Sequence, residues 1–307
     1  MLLNSFKYLR SYSKTASIYK INWKFRGVNT KYSFSTEQKS DDPEVIEFFE
    51  QELQTIKDVN SFLRVTNILA SIATTDKVQL KTKRAFFHKL IDHFPQMSNK
   101  EEDIRQFPKI SDSIVGLYQI KIEYIDPEMV ISTSKLISKH HTKYFKSYWH
   151  FIEFLLTRTN FLNTFTESHA VQLLNAYYEI ENNLEADKYQ YIFDKMEEFF
   201  SLKPALSLTE DELTRVLNYY TKSNLGGQLL YSKFYERFQD LRKTMKLENF
   251  ISCAWGFVNY SLRAKDKSMK VYDQESYNKI SNGIQDLNSY YIKQFLWSYH
   301  KEKELLS

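Results

Sequence analysis

Lysine and arginine recur in three clusters whose spacing suits neutralisation of a phosphate backbone. The first holds Lys77, Lys81, Lys83, Arg84 and Lys89, the second Lys135, Lys139 and Lys143, and the third Lys233, Arg237, Arg242, Lys243 and Lys246. Lys135, Lys139 and Lys143 are four residues apart, so on a helix they line one face. Each cation placed on a phosphate releases a condensed counterion, and interleaved rings such as Tyr144, Phe145 and Tyr235 offer faces on which unpaired bases stack. The residues expected to touch single-stranded RNA are Lys81, Lys83, Arg84, Lys135, Lys139, Lys143, Arg237, Arg242, Lys243 and Lys246. The same clusters also fit ordinary solvated helix surface. An acidic stretch interrupts them: Glu179, Glu181, Glu185, Asp187, Asp194, Glu197 and Glu198 against Lys188 and Lys195. If side-by-side helices merge the clusters into one basic track, either the track is discontinuous there, or that helix faces elsewhere, towards a protein partner.

Nothing comparable marks a reaction centre. Gly226-Gly227 lacks the following Lys-Ser or Lys-Thr of a phosphate-cradling loop. His140-His141 sit among Lys135, Lys139, Lys143 and Lys146, whose charge opposes a metal cation. Glu197-Glu198 reads as a solvated pair. The single cysteine, Cys253, lies in an apolar run and reads as a core thiol; alone, it excludes an intramolecular disulfide or a cysteine zinc cluster. The expectation is a non-catalytic chain with no cofactor and no metal site.

The elements that must position these residues are helices. Among 307 residues there are only 6 Gly and 5 Pro, too few turn formers for a sheet protein of this length, while 22 Tyr and 23 Phe supply ample apolar surface for a core. A recurrent unit is an apolar residue, a polar cap, then an apolar helix. It begins at Phe165-Thr166, Leu208-Thr209, Leu247-Glu248 and Leu287-Asn288, so the caps step by 43, 39 and 40 residues. Thr209 with Glu212 fits a capping box, in which two side chains satisfy free backbone N–H groups. Earlier starts are expected at Asp41-Asp42-Pro43-Glu44, Val59-Asn60, Ile110-Ser111 and Asp126-Pro127-Glu128, and second helices at about 77–94, 127–142, 187–200 and 227–245. Residues 97–109 and 263–275 read as polar loops. A helix pair about every 40 residues is the pattern of an all-α fold, an α-solenoid of stacked pairs.

Charge divides the chain. Residues 1–36 carry Lys7, Arg10, Lys14, Lys20, Lys24, Arg26 and Lys31 with no acid, among Ser, Thr and spaced apolar residues. That composition marks a mitochondrial transit peptide, with cleavage near Ser33–Thr36 and delivery to the matrix. The remainder has 35 basic against 38 acidic residues, so any basic surface must be local. The domain reading is a transit peptide over 1–36, an acidic leading helix over 37–59 and a helical-repeat domain over 60–307. The longest uncharged window, Asn249 to Leu262, is shorter than the ~20 residues a membrane-spanning helix needs, so no transmembrane insertion is expected.

Inside the units, Leu173-Leu174-Asn175-Ala176-Tyr177 matches Val216-Leu217-Asn218-Tyr219-Tyr220, and Cys253-Ala254-Trp255-Gly256-Phe257 matches Phe295-Leu296-Trp297-Ser298-Tyr299. In these residues the chain resembles organellar helical-repeat proteins, namely the FAST-kinase-domain family and the repeat subunits of the kinetoplastid RNA-editing substrate-binding complex. The resemblance covers roughly residues 60–300. It implies repeats that act in mitochondrial RNA stability, processing or translation without catalysis. The endonuclease-like domain of the FAST-kinase family is not recognisable, so no nuclease activity is carried over. Two functions follow as expectations: a mitochondrial RNA-binding adaptor, or a structural accessory subunit of a mitoribosome, respiratory or ATP synthase assembly that binds other protein subunits.

Overall fold

The computed structural model describes residues 41–94, 105–120, 125–138, 146–158, 160–181 and 190–307. Thirteen helices are found among them: α1 Pro43–Leu53, α2 Val59–Ala73, α3 Leu80–Asp92, α4 Phe107–Ile120, α5 Pro127–Ser138, α6 Lys146–Arg158, α7 Glu167–Glu181, α8 Gln190–Ser201, α9 Glu210–Lys222, α10 Gln228–Leu241, α11 Leu247–Ala264, α12 Gln274–Gly283 and α13 Ser289–Leu306. No strand occurs among the described residues. Residues 39–307 form one compact unit.

The helices stack in two layers. Odd-numbered helices pack side by side from α1 to α13, even-numbered ones from α2 to α10, and sequence neighbours such as α2–α3, α7–α8 and α9–α10 join the layers. This is the α-solenoid read from the sequence. No pair could bury its apolar face alone; stacking supplies the core, as Phe62, Tyr148, Trp149, Leu173, Phe193, Leu217, Phe234 and Phe257 show by their complete or near-complete burial. Helix α1 packs against α2 and α3, so among the described residues it stands in the odd row beside α3.

Local chemistry sets the starts. Asp42, Thr209 and Asn288 cap α1, α9 and α13 as expected, and Thr209 with Glu212 forms the reciprocal box. Asp58 caps α2 in a similar box with Ser61. The cap of α11 is Lys246, two residues before the expected Glu248, which lies instead in the positive first turn of the helix. Pro108 stands inside the first turn of α4 rather than in a loop, where its missing N–H costs nothing. Two helices were not expected from the sequence, α6 and α12. A segment without regular secondary structure, residues 269–273, leads into α12, which sits at the C-terminal end of α10.

A chain of polar links ties the N-terminal ends of successive odd helices. The Asp41 carboxylate accepts from the Gln79 amide at 2.6 Å, joining α1 to α3. Arg84 pairs with Asp126 at 3.3 Å, joining α3 to α5. Glu128 pairs with His169 at 2.8 Å, Glu167 accepts from the Ser207 amide at 2.7 Å, and Glu210 accepts from the Lys246 amide at 2.9 Å, carrying the series to α11. These links place like ends together, so the odd helices run parallel. Aligned dipoles crowd partial positive charge along that edge, and the carboxylates offset it.

Tyrosine latches cross-link the helices further. Tyr118 of α4 and Tyr148 of α6 donate to the Met129 and Val130 carbonyls of α5, each at 3.0 Å. Tyr191 of α8 donates to the Trp149 carbonyl and Tyr220 of α9 to the Phe193 carbonyl, each at 2.8 Å. Burial pushes the Tyr118, Tyr148 and Tyr220 phenols above their usual range, so all three remain donors.

Candidate interaction surfaces

The three basic clusters do not merge into one row. Helices α3 and α5 lie in the odd layer, whereas α10, with Arg237 and the residues leading to Lys246, lies in the even layer. The reason is α6. This extra helix between α5 and α7 shifts the alternation by one, so the second helices of the pairs in the first half, α3 and α5, are not layer-equivalent to those in the second, α8 and α10. Helix α8, part of the acidic stretch, stands between α6 and α10 in the even row.

Several of the expected RNA contacts hold the fold together. Lys83 is buried on the face of α3 that carries Phe86, Phe87 and Leu90, and its ammonium donates to the Ala73 carbonyl at 3.1 Å and to that of Thr75. It thereby caps the C-terminal end of α2, where free carbonyls and the helix dipole favour a cation. Arg84 belongs to the odd-row links. Arg237 donates through Nε to the Leu208 carbonyl at 2.8 Å. The Arg242 side chain, only 10% exposed, donates to both Asp273 carboxylate oxygens at 2.7 Å and to the Ser276 hydroxyl at 2.5 Å. Burial pushes the Asp273 carboxyl up, but the Ser276 amide and hydroxyl together with Arg242 outweigh it and hold the group at about 2. Lys81, Lys135, Lys243 and Lys246 are exposed; Lys135 donates to Gln172 at 2.5 Å and Lys243 lies 3.6 Å from Glu275. Lys139 and Lys143 lie outside the described residues, as do Tyr144, Phe145, His140 and His141. Tyr235 is half-buried: its hydroxyl donates to the Lys270 carbonyl at 2.5 Å and its ring meets Phe257 edge-on.

Cys253 is fully buried, 3.4 Å from the Thr214 hydroxyl, and burial pushes its thiol up to about 12. Among the described residues no group of three or more His, Cys, Asp or Glu is placed to hold a metal ion, and no helix is long and apolar enough to cross a membrane.

The unexpected surface is on α13. Its inner face is fixed firmly: Glu302 is buried and accepts from the Val271 and Tyr272 amides at 2.6 and 3.0 Å, and Ser298 bonds the Tyr272 hydroxyl at 2.5 Å. The opposite face carries Tyr290 at 54%, Leu296 at 57% and Trp297 at 38% exposure, flanked by exposed Lys293 and His300. Ala254, which matches Leu296 in the preceding repeat, is fully buried in α11, which has α9 and α13 packed beside it. The sequence shows the repeat match but not that this copy is left uncovered. No protein-family model matches the chain, and no characterised protein matches it by sequence.

Proposed function

We propose that the chain is a non-catalytic helical scaffold, a structural subunit of a mitochondrial assembly, which docks through the outward face of α13. The observation that carries this reading is the exposed Tyr290, Leu296 and Trp297 on a firmly anchored helix. The outward face of a surface helix is normally polar, and large aromatic side chains are the usual anchors of protein interfaces. The mitochondrial address follows from the seven cations and absent acids of residues 1–36. Native fractionation of mitochondria from cells carrying a tagged chain tests the reading. The chain should co-migrate in fixed proportion with a discrete particle, before and after ribonuclease; migration as a free chain overturns it.

A second reading, an RNA-binding adaptor, draws on the exposed Lys81, Lys135, Lys243 and Lys246. It requires affinity for single-stranded RNA that falls steeply with salt. Under this reading ribonuclease releases the chain from its particle, which separates the two.

A further inference from the structure

The C-terminal ends of α9, α11 and α13 are tied together along one edge. Arg263, in the last turn of α11, donates to the Leu225 and Gly226 carbonyls at 2.9 and 2.7 Å and to the Asn224 side chain at 3.1 Å, just beyond the end of α9. The segment after α11 is held to the last turns of α13, because Glu302 accepts from the Val271 and Tyr272 amides. Between these ties Met269 is buried, while Lys265, Lys267 and Lys270 are exposed. Lys303 of α13 and Lys222 at the end of α9 are exposed too. Burial pushes the Glu302 carboxyl up, and the two amides together with Lys270 and Lys303 act against it, so both ammonium groups stand near one carboxylate. Among the described residues none of the five lysines has an ion-pair partner. The other acids of this edge are engaged: Asp266 accepts from the Ser268 amide at 2.8 Å, and Glu304 pairs with His300 and Lys301. Cations in the last turn of a helix offset its dipole, which accounts for Lys222, Arg263 and Lys303. That effect falls off within the turn, and Lys267 and Lys270 lie beyond it.

We propose that this edge docks on the surface of an anionic lipid bilayer. Parallel helices tied end to end present their lysines along an edge, which suits a plane of headgroups. Leu306, 38% exposed at the same end of α13, supplies an apolar side chain for the headgroup boundary. A single-stranded nucleic acid fits this edge less well, since base stacking needs open ring faces. Here Tyr260 is buried, and Tyr178 and Tyr299 are half-buried beneath Lys222 and Lys303. Overall charge does not drive the contact, because residues 37–307 hold 35 basic against 38 acidic residues. The attraction is local and acts within a Debye length of the membrane.

Co-sedimentation of residues 37–307 with phosphatidylcholine vesicles containing ~30% phosphatidylglycerol tests it. This fragment holds the whole compact unit and omits the seven cations of residues 1–36, which would bind such vesicles themselves. Binding is expected at low salt, with none to phosphatidylcholine alone, and should be lost at ~0.5 M salt. Lys267→Gln or Lys270→Gln should weaken it about fivefold. Lys265→Glu, Lys267→Glu and Lys270→Glu together should abolish it. The same charge change placed elsewhere, Lys81→Glu, Lys135→Glu and Lys243→Glu together, should leave it within about twofold, with helix content unchanged in both triple variants. No binding at low salt, equal binding to neutral vesicles, or equal loss in both triple variants overturns the proposal. Retention of single-stranded RNA but not of vesicles, lost in the first triple variant, also overturns it and assigns the edge to nucleic acid. Docking through Leu296 and Trp297 does not depend on these lysines, so the scaffold reading stands or falls separately by native fractionation.

Discussion

Replacing Arg242 with Ala separates a structural cation from an RNA contact. The guanidinium makes two bonds to Asp273 and one to Ser276, and is almost wholly buried. Hydrogen bonds to charged groups contribute ~1.5–3 kcal/mol each to stability in favourable settings. Asp273 keeps 45% of its side chain exposed, so water replaces part of the lost interaction and the whole cluster is discounted to ~2 kcal/mol. For a chain of this size that corresponds to a melting shift of ~4–8 °C. A stacked array opens in segments, so the loss should concentrate in α12 and the adjoining end of α10, visible as faster amide exchange there than in α2–α4. The pH dependence gives a second check. Asp273 is depressed in the folded chain from 3.8 to about 2. Its contribution is therefore present above pH ~4 and is lost as pH falls from ~4 through ~2. Arg242→Ala should differ most from the parent near neutrality, and the gap should narrow steadily over that acid window. A melting shift below ~1 °C, or a gap independent of pH between 4 and 2, refutes the structural assignment.

Other substitutions give smaller or local readouts. Lys83→Met should destabilise by ~1–3 kcal/mol in urea titrations, because two carbonyls at the end of α2 lose their donor in a buried site. Tyr148→Phe should cost ~1–2 kcal/mol by the same measure, since both the Val130 carbonyl and Ser134 lose a partner. Cys253 should react with a thiol reagent at pH 8 only on unfolding, as its buried thiol titrates near 12; prompt reaction in the folded chain would contradict its placement.

The solenoid was legible because its signals are local. Thr209 with Glu212 and Asn288 mark helix starts through their own backbone bonds, and apolar periodicity marks the buried faces. Helix α6 carries the same kind of mark, with Tyr148, Trp149, Ile152, Leu155 and Leu156 buried, and it stands between the expected helix pairs, where it changes which helices share a layer. Lys83 shares its face with Phe86, Phe87 and Leu90, so helical periodicity turns it inward although its charge alone suggests a surface residue. Helix α12 was harder to read. It is short and polar, with only Ser276 and Ile280 buried, and its place depends on Arg242 and Lys279 reaching residues more than 30 positions away. The exposed face of α13 has no sequence mark either, because Leu296 repeats a position, Ala254, that is buried in α11. Whether such a pattern is covered depends on what stands next in the row.

The scaffold claim is tested most directly by native fractionation of mitochondria from cells in which the chain carries Leu296→Glu with Trp297→Glu. Both side chains are solvent-facing, so the fold should persist. The variant should leave the high-mass particle and run as a free, folded chain, with or without ribonuclease. A variant that remains in the particle in the same proportion as the parent would contradict it.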